Sequence, residues 1–416
     1  VSAAEKTTLT FWHAMGGTNG EVLQQIVDDF NASQDEIEIK AEYQGTYDDT
    51  ITKLKAAMQS DSGLPDVCQM YDVGTKFMYD SGAVIPVEDK FESTGYDKSS
   101  VMEVISSYYT VDGKQYAMPF NVSTPMLYYN KDVFEAAGLD PETPPTTYDE
   151  VLEDAKKIVE SGAAPVGYSQ AIYGWFFEQQ LAGLGVTYGN NDNGRKEAVT
   201  AVDFDSNGGG LKVFDMWKKL YDSGYFEDYG TTTADTQTAF FSGQVGMIIE
   251  STAILKNAVD SSPFEVGTGY LPRIEQNDEG GVIIGGGSLW LTDTGNEANE
   301  DAAWKFIEYI TTPDVQAKWS MGTGYFAINE KAYETEDMKA YLKENPNFET
   351  AINQLKDSPV NCNTAGVLSG VQTEARLTFN EIMPQVYDGK LTTQDAVDQL
   401  AASVNKAIEN YNESIK

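Results

Sequence analysis

His13 is the only histidine, and Cys68 and Cys362 the only cysteines, in a chain of 416 residues. A Ser-His-Asp triad or a His-rich metal site would have to use that one imidazole, and the two thiols offer neither metal-ligand spacing nor a redox pair. Cys68, in Val67-Cys68-Gln69-Met70, reads as a buried apolar thiol on a strand. With 65 Asp and Glu, a close carboxylate pair is expected by chance, so glycoside hydrolysis has only the acid surplus to support it. The glycine-rich runs lack the G-K-[ST] of a phosphate-binding loop and the strand-turn-helix setting of a dinucleotide fingerprint. No enzyme, metal or cofactor chemistry is therefore expected.

What remains is binding chemistry. Trp12, Tyr47, Tyr71, Trp175 and Tyr325 fall at predicted loop tips beside Ser123, Ser251, Thr252 and Ser288. Aromatics with a polar handle can cover the carbon face of a polyhydroxylated small molecule while hydroxyls fix its orientation, although for each aromatic taken singly core packing is the better reading and only the group points to a ligand. Thr373, Arg376 and Asn380 share one helix face by their three- and four-residue spacing. That Arg is either a fork for a phosphate or carboxylate or an ordinary ion pair with one of the many acids.

The elements that must position these residues alternate. Thr8–His13, Ile37–Tyr43 and Val67–Tyr71 read as strands, with Thr18-Asn19-Gly20 as a turn into a helix and a second helix over Tyr47–Met58, predicting an α/β lobe with a largely parallel sheet. Residues past the strand ends, Trp12-His13, Gly45–Asp48 and Tyr71–Thr75, occupy the place where such sheets bind ligands. Met118–Pro145 packs an apolar strand, a polar turn and a short helix between proline breaks, as a crossing between lobes would. Thr147 and Glu150 form a capping box, Gly189–Gly194 (GNNDNG) a polar loop, and Val245–Ile249 a strand running into Glu250-Ser251-Thr252. Gly285-Gly286-Gly287 interrupts an apolar run, as a ligand-facing bend or a sheet bulge. From Glu297 the chain reads as mostly helical.

Length alone favours two lobes. They are expected to interleave, with 1–118 plus 271–316 in one and 119–270 plus 317–416 in the other. Lys and Arg number 28 against 65 acids, a formal net charge of -37, which repels nucleic acid and anionic membranes and keeps a secreted protein dispersed. No apolar run approaches the ~20 residues of a membrane-spanning helix. The sequence opens at Val1 with neither an initiator Met nor an apolar leader, which fits a processed or trimmed chain.

PFNVSTPMLYYNKDVFEAAGLDPETPPTTYDEV resembles the hinge of the extracellular solute-binding proteins of bacterial ABC importers, specifically the glycerol-3-phosphate-binding subgroup. WHAM from Trp12, GTYDD from Gly45, MYDVGT from Met70, IIGGGSLW from Ile283, TGYFAI from Thr323 and the Arg376 helix follow in that family's order. The resemblance implies a two-lobed periplasmic-binding-protein fold, α/β with mixed sheets and hinge crossovers. It also implies a monomer outside the cytoplasm, lipid-anchored or periplasmic, that hands a small solute to membrane permease subunits. In that family the pocket between the lobes binds a phosphorylated glycerol unit. Carried over, Tyr47 and Asp72 would face the glycerol hydroxyls. Ser123, Ser251, Gly286, Tyr325 and Arg376 would hold the phosphate, and Trp175 with Trp12 would wall the pocket.

The chain departs from the family at Val122-Ser123, where a paired serine is usual, at Asp72 for Glu, and at Ile172-Tyr173-Gly174-Trp175 for Trp-x-Gly-Trp. Glu250 puts a carboxylate beside Ser251, where it would oppose a phosphate unless it turns away. The head group, including one as large as choline, is left open, and a neutral mono- or oligosaccharide is the alternative ligand.

Overall fold

The computed structural model describes residues 5–416; Val1–Ala4, and with them the chain start, lie outside the described residues. The chain forms two compact units, one of the described residues up to Ser123 with Ile284–Glu344, the other of Thr124–Ile283 with Asn345–Lys416. The divisions thus fall later than the 118, 270 and 316 expected from sequence. Contacts within the first unit explain the first and third of these shifts. Met118–Ser123 is a strand of the first unit's sheet, paired with Gly285–Thr292. Past residue 316 the Phe326 N–H donates to the Val122 carbonyl at 3.0 Å, and Ala317, Ala327, Ala332 and Met338 bury a small core there.

In the first unit, Ile37–Tyr43, Thr7–His13, Val67–Tyr71, Gly285–Thr292 and Val84–Ile85 lie side by side in that order, with Met118–Ser123 also on Gly285–Thr292. The first three are parallel as expected. Gly285–Thr292 runs antiparallel to each of its three neighbours, so the sheet is mixed. The helix Gly17–Ser33 begins earlier than the expected turn, and it buries Leu23, Ile26, Val27 and Phe30. That three- and four-residue spacing is one helical stripe, and Phe30 meets Phe306 at 5.2 Å between ring centres.

The second unit holds a four-stranded sheet in the order Val266–Gly269, Pro125–Asn130, Val245–Ser251, Val166–Ser169. All six residues of Pro125–Asn130 are buried, as a strand covered on both faces requires. Asn130 then caps the helix Lys131–Ala136 by accepting the Val133 N–H. The GNNDNG loop turns left-handed through Asn191, Asp192 and Asn193, with φ of 54, 55 and 59°. Asn and Asp are the side-chain-bearing residues that tolerate this region best. Helices Gly174–Gly183, Gly209–Asp222, Gln372–Tyr387 and Thr393–Ser414 surround a core that includes Phe177, Phe214, Trp217 and Phe379. Among the described residues no helix is long and apolar enough to cross a membrane.

Candidate functional site

In the first unit the candidate residues gather around Asn121, the asparagine of the PFN-x-STP segment. Its side chain is 1% exposed. Asn121 Nδ2 donates to the Tyr47 hydroxyl at 2.9 Å, and its Oδ1 accepts from Gln69 Nε2 at 2.8 Å. Gln69 Oε1 in turn accepts the Ala14 N–H at 2.9 Å. Tyr47 begins the helix Tyr47–Ser60, whose Thr46 and Asp49 form a reciprocal capping box, so its backbone is fixed. Its ring stacks on Tyr71 at 5.1 Å and 10°, and Tyr71 donates to Asp48 at 3.0 Å.

Two glycines make room for this cluster. Gly286 has φ of 97°, and a Cβ there would collide with the Asn121 carbonyl oxygen. A Cβ on Gly287 would sit 2.5 Å from Asn121 Oδ1 and 3.1 Å from the Tyr47 hydroxyl. The sheet register slips between Gly286 and Ser288 opposite Met118–Ser123. The glycine run is therefore a bulge, and the bulge is what admits the asparagine.

Tyr325 follows the left-handed Gly324, the C-cap of Pro313–Thr323. Its ring stacks on Trp319 at 5.9 Å and 6°, and Trp319 stacks on Phe120 at 4.4 Å. Burial raises the Tyr325 hydroxyl's pKa, while a hydrogen bond from Asn121 works against that rise. Tyr47 is held protonated more strongly, first by burial and then by the neighbouring Tyr325, with Asn121 opposing and the Asp72 charge adding. Asp72 is buried, and its Oδ1 accepts the Val73 N–H at 2.8 Å. Gly286, Tyr47 and Tyr325 thus meet at Asn121, with Asp72 within electrostatic reach.

Trp12 is half-buried, on the strand face opposite the buried Phe11 and His13. Ser123 is buried opposite Gly285. His13 is structural: Nδ1 accepts the Met15 N–H at 3.2 Å, and burial lowers its pKa to about 4. Burial likewise pushes the Cys68 thiol up to about 12, and both cysteines are free thiols.

In the second unit the centre is Arg376 on the helix Gln372–Tyr387. Its Nε and Nη2 donate to the two carboxylate oxygens of Glu178 at 2.7 and 2.9 Å, a two-bond fork with side chains 13% and 9% exposed. Glu178 lies on Gly174–Gly183, and a Cβ at Gly174 would come within 2.7 Å of the Arg376 backbone. Gly174 is therefore what lets the two helices approach at the arginine. Trp175, the next residue, is 5% exposed and packed with Tyr173 and Phe176 in the core. One turn beyond Arg376, Asn380 Oδ1 is buried without a hydrogen-bond partner.

Ser251 ends the strand Val245–Ser251; its Oγ accepts the Ala253 N–H at 3.1 Å and its carbonyl the Tyr128 hydroxyl at 2.6 Å. Glu250 does turn back on its own chain. Oε1 accepts the Ser251 N–H at 2.8 Å and Oε2 accepts Gln237 Nε2 at 3.1 Å. Burial raises its pKa above the ordinary carboxylate range. Among the described residues no cluster of three or more His, Cys, Asp or Glu could hold a metal ion.

A family described as bacterial extracellular solute-binding protein matches residues 25–350. This chain belongs to that family. The sn-glycerol-3-phosphate-binding periplasmic protein UgpB of Escherichia coli (strain K12) is 31% identical over 422 residues, spanning 100% of this chain and 95% of that protein. Among solved structures, the cyclic alpha-maltosyl-1,6-maltose binding protein of Arthrobacter globiformis is 26% identical, with a TM-score of 0.81 over 98% of this chain and 100% of that one. UgpB from Mycobacterium tuberculosis, solved in complex with glycerophosphocholine, superposes with a TM-score of 0.80 over 98% of this chain and 100% of its own, at 20% identity.

The fold is therefore the two-lobed periplasmic-binding-protein fold, and the role is that of the substrate-binding component of an ABC importer outside the cytoplasm. Its relatives bind solutes for delivery to permeases and are not enzymes. Asn121, Gln69 and Glu178 were not anticipated from sequence. Asn121 lay inside the most specific motif, but nothing in the sequence marked Glu178 among so many acids.

Proposed function

We propose that the importer's cargo is sn-glycerol 3-phosphate or a glycerophosphodiester, bound and released unchanged by a monomer that is lipid-anchored or free in a periplasm. The observation that carries this is Arg376, a guanidinium held in a fixed plane by Glu178. A guanidinium whose plane is already fixed loses little entropy on meeting a phosphate. The full-length similarity to a glycerol-3-phosphate-binding protein supports the same ligand. Tyr47 and Asp72 would take the glycerol hydroxyls, and Ser123, Ser251, Gly286, Tyr325 and Arg376 the phosphate, with Trp12 and Trp175 as apolar walls.

A second reading, a neutral mono- or oligosaccharide, is favoured by Glu178, which already neutralises Arg376, and by the similarity to a maltosyl-maltose binder. Arg376→Ala separates the two. Loss of a charge-assisted hydrogen bond predicts about 2 kcal/mol or more, roughly a 30-fold weaker Kd for glycerol 3-phosphate. Unchanged phosphate-ester binding by a folded variant would contradict the reading.

A further inference from the structure

We infer that Asn121 is a positioning residue that fixes the Tyr47 hydroxyl as a hydrogen-bond donor, so that Tyr47 and Asp72 together accept a ligand hydroxyl in one sense only. The argument starts at the backbone. The Ala14 N–H can only donate, and it donates to Gln69 Oε1 at 2.9 Å. An amide has one accepting end and one donating end, so Gln69 must turn its Nε2 to Asn121 Oδ1, 2.8 Å away. Asn121 must then turn its Nδ2 to the Tyr47 hydroxyl at 2.9 Å. Both amide side chains are at most 1% exposed, leaving them no solvent in which to rotate. The Tyr47 oxygen accepts at this contact, and its single proton must point elsewhere.

That polarity matters because Asp72, an acceptor only, directly follows Tyr71, whose ring stacks on Tyr47 at 5.1 Å. A ligand hydroxyl can accept from Tyr47 while donating to Asp72. An ammonium cannot accept at all and would leave the Tyr47 proton unmatched. Gly286 and Gly287 keep the relay in place, since a Cβ at either would strike Asn121. The inference rests on the proposed cargo and names how its glycerol end is read.

Asn121→Asp keeps the bond to Gln69 but presents a second acceptor to Tyr47, turning the tyrosine proton inward. Gln69→Glu reaches the same end without touching Asn121, because the new carboxylate oxygen forces the Asn121 amide to flip. Calorimetric titration with glycerol 3-phosphate and O-phosphoethanolamine reads the result. In either variant the preference for the hydroxyl ligand over the ammonium ligand is expected to fall at least tenfold, at a melting temperature that shows a folded protein. In a Tyr47→Phe background the Asn121→Asp effect is expected to shrink to under threefold. A preference that stays within threefold of wild type in both variants, or an Asn121→Asp effect undiminished in the Tyr47→Phe background, would overturn the inference alone. Failure of the wild-type protein to bind glycerol 3-phosphate would overturn the proposed cargo, and this reading of its hydroxyl with it.

Discussion

The two units prepare for a ligand in different ways. The first gathers neutral donors, Tyr47 and Tyr325, around a buried asparagine whose orientation is dictated by a backbone N–H through Gln69. The second buries a full charge, Arg376, against a full countercharge, Glu178. Neutral recognition needs its hydrogen-bond direction fixed in advance, because an unfixed hydroxyl or amide can serve either sense. Charged recognition needs its geometry fixed, and a buried cation also needs a partner to offset the cost of leaving water. The first unit is therefore sensitive to shape, the second to charge.

The largest effect expected from that contrast lies in the first unit. Gly286→Ala would place a Cβ against the Asn121 carbonyl at a φ of 97°, and a loss of about 3 kcal/mol in unfolding free energy is expected. Urea unfolding checks it; a loss under about 1 kcal/mol would mean that the bulge is slack and does not brace Asn121.

Glu178→Gln addresses the second unit. The amide retains one acceptor for Arg376 but removes the countercharge, so folding is expected to lose about 2 kcal/mol while glycerol 3-phosphate binds several-fold more tightly. Maltose affinity would not follow. If phosphate-ester affinity falls instead, Glu178 serves chiefly to hold the guanidinium in place and the charge argument fails.

Near neutral pH the smallest effect is the protonation of His13, which grows only as the solution is acidified. Burial holds its folded pKa near 4 against the ordinary 6.5, so between those values the unfolded chain binds more protons than the folded one. Its contribution is present in full above pH 6.5 and is lost as pH falls toward 4, with a slope of at most about 1.4 kcal/mol per unit. Glu250, whose pKa is raised, contributes with the opposite sign. Subtracting the pH dependence of a His13→Gln variant isolates the histidine; identical slopes would place the imidazole in solvent contact.

Much of this arrangement was legible in the sequence, for identifiable reasons. Tyr47, Asp72, Gly286, Tyr325 and Arg376 sit in short motifs whose order along the chain is itself informative. The three parallel strands follow from local alternation, but the antiparallel entry of Gly285–Thr292 does not, because its partners lie more than 150 residues earlier in the chain. The unit boundary after Ser123 was missed because Met118–Asn130 mixes apolar with small polar residues on both sides of the break and carries no change of composition there. Asn121 and Glu178 acquire meaning only through partners 52 and 198 residues away. No local pattern encodes such pairings.

The central claim is tested most directly by calorimetric titration of the ligand-stripped protein with glycerol 3-phosphate, glycerophosphocholine and maltose in parallel. Micromolar or tighter binding of a phosphate ester, about -8 kcal/mol or better, with maltose at least a hundredfold weaker, is the predicted result. Binding of maltose alone would contradict it, leaving Arg376 and Glu178 as a structural ion pair in a sugar-binding protein.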